Sequence, residues 1–152
     1  MQQHKLMVTQ FDKFKIQPLM RFSVLITLLF SVAILRGQTI YVGPDNGDWL
    51  TAANWSNGLP ASGNNATVSG GKIVEINGTL AIGYMVDNFG TIINKGTTTV
   101  SGNLSSGGAF TNEATASLTV TSSGLVLVAG GFSNAGTVTN RGTVTVEHEP
   151  PQ

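Results

Sequence analysis

The 152 residues leave room for one ordinary domain, and with only 11% of them charged the surface must be solvated by hydroxyls and amides rather than by ions. The formal net charge of zero conceals an acidic body: from Gln38 onward three basic residues (Lys72, Lys95, Arg141) stand against seven acidic ones (Asp45, Asp48, Glu75, Asp87, Glu113, Glu147, Glu149), a net of −4. That balance excludes the basic patch of a nucleic-acid-binding protein, and the absence of cysteine excludes disulfides and thiol chemistry.

Residues 1–37 read as a targeting segment. Phe22 to Leu35 is a 14-residue, mainly apolar run bounded by Arg21 and Arg36, shorter than the roughly 20 apolar residues that span a bilayer. A basic flank, a short apolar helix and then small or polar residues form the pattern of a secretory signal peptide, with cleavage near Gly37 or Gln38. Residues 1–19 are long for the segment that precedes such a run, and Met20-Arg21 makes a more ordinary start of translation. The body is thus expected outside the cell or on its surface, touching a membrane only through this segment. Its composition agrees: glycine (19) and threonine (18) are abundant, and all 12 asparagines lie at or after Asn46.

Residues 38–62 read as an N-terminal strand and a tryptophan-containing cap. Thr39-Ile40-Tyr41-Val42 is β-branched and aromatic, and Gly43-Pro44 ends it. The chain's two tryptophans, Trp49 and Trp55, follow in a loop-rich stretch. An open end of a repeat protein exposes apolar core and unpaired strand edge, so a cap is their expected use. The alternative makes Trp49 and Trp55 a platform on which sugar rings stack. Asp45, Asn46 and Asp48 suit a turn better than a calcium loop, which needs six or more oxygens and usually a later acid at set spacing. Trp49, then Asn54-Trp55-Ser56-Asn57-Gly58 and Pro60, leading into a Gly/Asn-rich turn and a Val/Ile strand, resembles the leading segment of secreted bacterial surface proteins with parallel β-helix repeats, the adhesin-like and autotransporter-passenger-like group. The resemblance implies a surface-exposed, non-enzymatic protein, often one that serves attachment.

Residues 63–146 carry the repeat. The phrases Asn64-Asn65-Ala66-Thr67, Asn88-Phe89-Gly90-Thr91, Asn112-Glu113-Ala114-Thr115 and Asn134-Ala135-Gly136-Thr137 return at intervals of twenty-four, twenty-four and twenty-two positions. A period of this size marks a solenoid, whose coils bury an apolar face only by stacking on their neighbours. The fold class is therefore all-β: a parallel β-helix, right-handed, of about 22–24 residues per coil, preceded by the signal helix. A left-handed hexapeptide helix would account for the six-residue sub-phrase Asn-x-Gly-Thr, doubled at Asn88/Asn94 and Asn134/Asn140, but its coils of about 18 residues are shorter than the phrase intervals. Counting from each phrase, even offsets collect aliphatic side chains (Val68, Val74, Ile76; Ile92, Val100; Ala116, Leu118, Val120; Val138, Val144, Val146) and odd offsets collect hydroxyls. Alternation of period two places the first set inside and the second in solvent. The outward hydroxyls should then stand in two columns, Thr91, Thr115 and Thr137 in one and Thr97, Thr121 and Thr143 in the other. Phe110 and Phe132 share a register, with Val86 expected one coil earlier. The glycines Gly90, Gly96, Gly136 and Gly142 are expected at corners, where positive φ is tolerated. Stacked asparagines should form amide ladders. Residues 147–152 read as a disordered tail without a capping coil, as in a fragment of a longer protein, leaving end-to-end self-association open.

No catalytic constellation emerges. His148 stands alone in a proline-rich tail, so a nucleophile has no base, and neither cysteines nor histidine clusters exist to bind zinc. No cofactor is expected. Asp45, Asp48, Glu75, Asp87 and Glu113 are scattered at spacings that align no two on one coil face, unlike the paired carboxylates of glycoside hydrolysis. The expected function is that of an exported structural or adhesive surface protein, partnered by an extracellular polysaccharide or a host or cell-surface ligand. Two alternatives are a module that uses its threonine columns, or Trp49 and Trp55, to bind ice or polysaccharide, and a fragment of a carbohydrate-active β-helix enzyme.

Overall fold

The computed structural model describes residues 37–147. Residues 1–36, on which the expected signal peptide falls, and 148–152, most of the expected tail, lie outside the described residues. Two short strands, β1 (Thr39–Ile40) and β2 (Gly47–Asp48), and a 3-10 turn over Ala52–Asn54 precede the repeats. The first coil is β3 (Ala66–Val68), β4 (Ile73–Ile76) and β5 (Thr79–Ile82), and the second is β6 (Met85–Asn88), β7 (Thr91–Asn94) and β8 (Thr97–Val100). The third is β9 (Asn103–Ser106), β10 (Ala109–Asn112) and β11 (Ser117–Val120); the fourth is β12 (Leu125–Val128), β13 (Phe132–Asn134) and β14 (Thr137–Asn140), followed by β15 (Thr143–Val146). Each coil lays one strand on each of three parallel sheets: face A holds β1-β3-β6-β9-β12-β15, face B holds β2-β4-β7-β10-β13, and face C holds β5-β8-β11-β14. The chain is a parallel β-solenoid of about four turns, as the repeat analysis expects.

The coil is shorter than the phrase intervals suggest. On face B, Val74, Ile92 and Phe110 stack at steps of eighteen positions, and Phe132 follows after twenty-two, the same separations that the Asn94–Asn112 and Asn112–Asn134 side-chain pairs span. Face C steps from Leu80 to Thr98, Leu118 and Val138 by eighteen, twenty and twenty positions. The unit is a six-residue side: four strand residues, alternating outward and inward, and a two-residue corner. Three such sides close one coil. The longer steps come from four-residue corners at 69–72, 113–116 and 121–124, so the phrase does not follow one column: Asn88 ends a strand of face A, whereas Asn112 and Asn134 end paired strands of face B.

Glycine makes the narrow corners possible. Gly78, Gly90, Gly96, Gly102 and Gly108 close successive corners, with Tyr84 in the place where the series would set another glycine. Positive φ is not the reason, because among the described glycines only Gly58, Gly63 and Gly71 adopt it. The reason is contact with the coil beneath: a Cβ on Gly108 would lie 2.0 Å from the carbonyl oxygen of Gly90, and one on Gly96 would lie 2.1 Å from that of Gly78. Any side chain there would force two rungs apart.

Inside, the even-offset aliphatics are where alternation puts them. Val68, Val74, Ile76, Ile92, Val100, Leu118 and Val120 are at most 1% exposed, and each contributes on the order of 1.5–3 kcal/mol through burial. Val138 and Val144 are partly buried and Val146 is 46% exposed, since they belong to the last described rung. Phe110 and Phe132 stack at 6.1 Å and 13°. Ile92, however, precedes them in that column; Val86 belongs to face A. At the ends of the face B strands the buried amides form the expected ladder: Asn94 Nδ2 donates to Asn112 Oδ1 and Asn112 Nδ2 to Asn134 Oδ1, each at 2.8 Å. The same amides donate to the carbonyls of Ser117 and Thr137 across the corners. The polar atoms of the buried Asn94 and Asn112 are thus satisfied inside the solenoid. Asn88 does likewise on face A, donating to Ser106 Oγ at 2.8 Å and accepting from the Gly90 amide.

The N-terminal end is covered. Trp49 and Trp55 are 0% and 4% exposed, with ring centroids 4.6 Å apart, and Tyr41 meets Trp55 edge-on at 5.3 Å. The Trp55 indole donates to the Trp49 carbonyl at 2.8 Å and Tyr41 Oη to the Pro44 carbonyl at 2.7 Å. Tyr41 also bridges antiparallel to Trp55, and the Ser56 amide donates to the Ile40 carbonyl, so the free edge of β1 is occupied. Beneath this layer, burial pushes the Tyr84 phenol up to about 12, partly offset by the neighbouring Trp49 N–H. Neither Tyr84 Oη nor Trp49 Nε1 completes a hydrogen bond.

Candidate functional site

Face C concentrates the outward hydroxyls. Its four strands read Thr-Leu-Ala-Ile, Thr-Thr-Thr-Val, Ser-Leu-Thr-Val and Thr-Val-Thr-Asn, and the first and third residues of each point outward. In-register pairing aligns Thr79, Thr97, Ser117 and Thr137 in one column and Ala81, Thr99, Thr119 and Thr139 in the next. Seven of the eight positions carry a hydroxyl and none is charged. Neighbouring rungs of a sheet are about 4.8 Å apart, and alternate residues along a strand are about 6.6–6.8 Å apart. The face is therefore a two-column grid whose spacing follows from backbone pairing.

Several features hold the grid in place. The residues between the columns point inward: Leu80, Thr98 and Leu118 are buried, and the Thr98 hydroxyl donates to Asn94 Oδ1 at 3.0 Å. Threonine is β-branched and has few χ1 choices on a strand. The inner Thr98 and the corner pair Thr121 and Ser123 engage in side-chain hydrogen bonds, whereas the seven outward hydroxyls engage in none among the described residues. They are available to an external partner. The ion pair of Lys95 and Glu75 stands off this face: Lys95 Nζ, in the corner that leads into β8, meets Oε1 of Glu75 on β4 of face B at 2.7 Å, and the carboxylate raises the lysine's pKa.

The residues singled out from the sequence are redistributed. Thr97 and Thr137 lie in one column of face C, two rungs apart with Ser117 between them. Thr91 opens β7 on face B, stacked between Ile73 and Ala109. Thr143 opens β15 on face A above Leu125. Thr115 and Thr121 lie in four-residue corners outside the strands. The structure thus does not form the columns Thr91–Thr115–Thr137 and Thr97–Thr121–Thr143, because the strands step unevenly and the phrase intervals do not match one turn of the coil throughout. Trp49 and Trp55 have their ring faces against the cap, which removes the surface a stacking sugar would need. Asp45 and Asp48 accept at 3.4 Å from the Ile73 and Asn77 amides, a use that fits turn residues better than cation ligands. Thr79, Thr99, Ser117, Thr119 and Thr139 escape the sequence reading. The signal available for them is the triplet hydroxyl–apolar–hydroxyl, visible at Ser117-Leu118-Thr119 and Thr137-Val138-Thr139.

The chain matches no protein-family model, no curated protein and no solved structure.

Proposed function

We propose that the chain is an exported surface protein, without catalytic activity of its own, that attaches to an extended extracellular surface through face C. The grid of seven hydroxyls at lattice spacing carries this reading, because a regular array on a solenoid suits a partner that is itself regular and large. The hydrophobic run between Arg21 and Arg36 supports export. The resemblance of the segment from Trp49 to Pro60 to bacterial adhesin-like proteins supports an attachment role.

The test is adsorption of the full chain to cellulose, chitin, peptidoglycan sacculi and polycrystalline ice, comparing wild type with Thr119→Lys in the middle of the grid and Thr145→Lys on face A. Thr119→Lys should lower the bound fraction several-fold on at least one surface, while Thr145→Lys should match wild type. Equal binding by all three proteins on every surface would refute attachment through face C.

A further inference from the structure

Resting on the reading of face C as the attachment surface, we propose that its ligand is ice, and that the two hydroxyl columns are an ice-binding plane. The ligand has to be one that recognises hydroxyl and methyl groups alone, for the outward positions of face C hold six threonines, one serine and one alanine. Protein sites for sugars combine an aromatic face with amides or charged groups that fix each ring. Face C presents none of these outward, and both tryptophans of the chain are spent in the cap. An ice surface asks for something simpler: fixed hydrogen-bonding oxygens at repeating distances, apolar patches between them that do not impose a competing hydration shell, and no ion.

Threonine supplies both parts from one stiff side chain, an oxygen and a methyl group on the same Cβ. The rungs repeat the pair at about 4.8 Å, and the alternate strand positions repeat it at about 6.6–6.8 Å. Order on this face is set in advance. The Asn94–Asn112–Asn134 amide ladder locks neighbouring coils in register at the corner through which the chain enters face C, and the buried Thr98 and Leu118 pin its two middle rungs from behind. Binding water at such positions therefore costs little further side-chain ordering. Ala81 and Ser117 are the two imperfect sites, one lacking the hydroxyl and the other the methyl group. The well-formed part of the plane is Thr97, Thr99, Thr119, Thr137 and Thr139, three adjacent rungs.

The experiment is ice-affinity partitioning of the full chain on a slowly growing ice surface, with thermal hysteresis and crystal shape read on the same samples. The variants are Thr119→Lys and Thr145→Lys, with circular dichroism to confirm that both fold like wild type. Wild type and Thr145→Lys should be enriched in the ice and should facet the crystals, and Thr119→Lys should be excluded and lose hysteresis. Exclusion of wild type from ice, or retention of Thr119→Lys equal to wild type, would overturn the proposal. The glycan arms of the adsorption test then separate the two readings: binding to a polysaccharide lost in Thr119→Lys leaves attachment through face C standing with a different ligand, and no face-dependent binding to any surface removes both.

Discussion

A single atom decides the fate of most corners in this chain. At Gly108 the backbone passes so close to the rung below that a methyl group would overlap the Gly90 carbonyl, whereas a Cβ at Gly83 would stand 3.5 Å from Ser101 Oγ, an ordinary contact. Neither glycine has a positive φ, so conformational preference does not separate them. Gly108→Ala should therefore destabilise by about 1–3 kcal/mol, the usual range for forced overpacking. Gly83→Ala should stay within about 0.5 kcal/mol of wild type. Urea unfolding of the two variants checks the pair, and similar losses would mean that glycine serves these corners by flexibility rather than by close approach. The same scale shows what is legible in the residues and what is not. Alternation assigns inward and outward positions correctly, because every step between stacked residues from β3 onward is even, as are the phrase intervals, and parity survives a wrong alignment. The column assignments do not survive, because the phrase aligns Asn112 with Asn88 whereas its ladder partner is Asn94. The glycine series at 78, 90, 96, 102 and 108 carries the six-residue period more cleanly than the asparagine phrase does. Four-residue corners then blur that period from 113 onward, which is why the phrase falls out of step with the coil.

At the scale of the element, the six-residue side behaves as an interchangeable part, and three of them close a coil. Each strand satisfies its backbone groups only through its neighbours above and below, so a coil is removable as a unit provided that every later strand returns to its own face. Deleting Thr91–Gly108 removes one whole coil and joins Gly90 to Ala109, which already stacks directly on Thr91. The shortened chain should unfold cooperatively, with an m-value reduced in keeping with its smaller buried surface. Deleting only Thr91–Gly96 shifts β8 onto face B and leaves two sides where three are needed. That variant should lose cooperative unfolding. If the single-side deletion were tolerated as well as the whole-coil one, the three-sided coil would be the wrong unit. The asparagine ladder belongs to this scale too, since its amides tie each coil to the next at one corner and pass hydrogen bonds to the following strand. The sequence announces the ladder as a chemistry, and the phrase names two of its members, Asn112 and Asn134, but aligns them with Asn88 where the structure has Asn94.

Across the whole solenoid, a covered N-terminal end and a repeating interior hold one sheet of outward hydroxyls in register. The cap is legible because tryptophan is scarce and large, and an end coil has apolar surface to hide. The hydroxyl grid is only half legible: Thr97 and Thr137 stand out in the repeat, yet the face they share follows from which strands stack, and stacking depends on corner lengths that no single residue announces. The attachment and ice readings both stand on that stacking. It is tested most directly by pairs of nitroxide spin labels, for which the cysteine-free chain is a clean background. Labels on Thr99→Cys and Thr119→Cys occupy directly paired positions on neighbouring strands, about 4.8 Å apart along the stack. Their spectrum should show strong dipolar broadening, while labels on Thr91→Cys and Thr137→Cys, on two different faces, should show far weaker coupling. Strong coupling for Thr91 with Thr137 and none for Thr99 with Thr119 would contradict the three-sided stack and everything built on it.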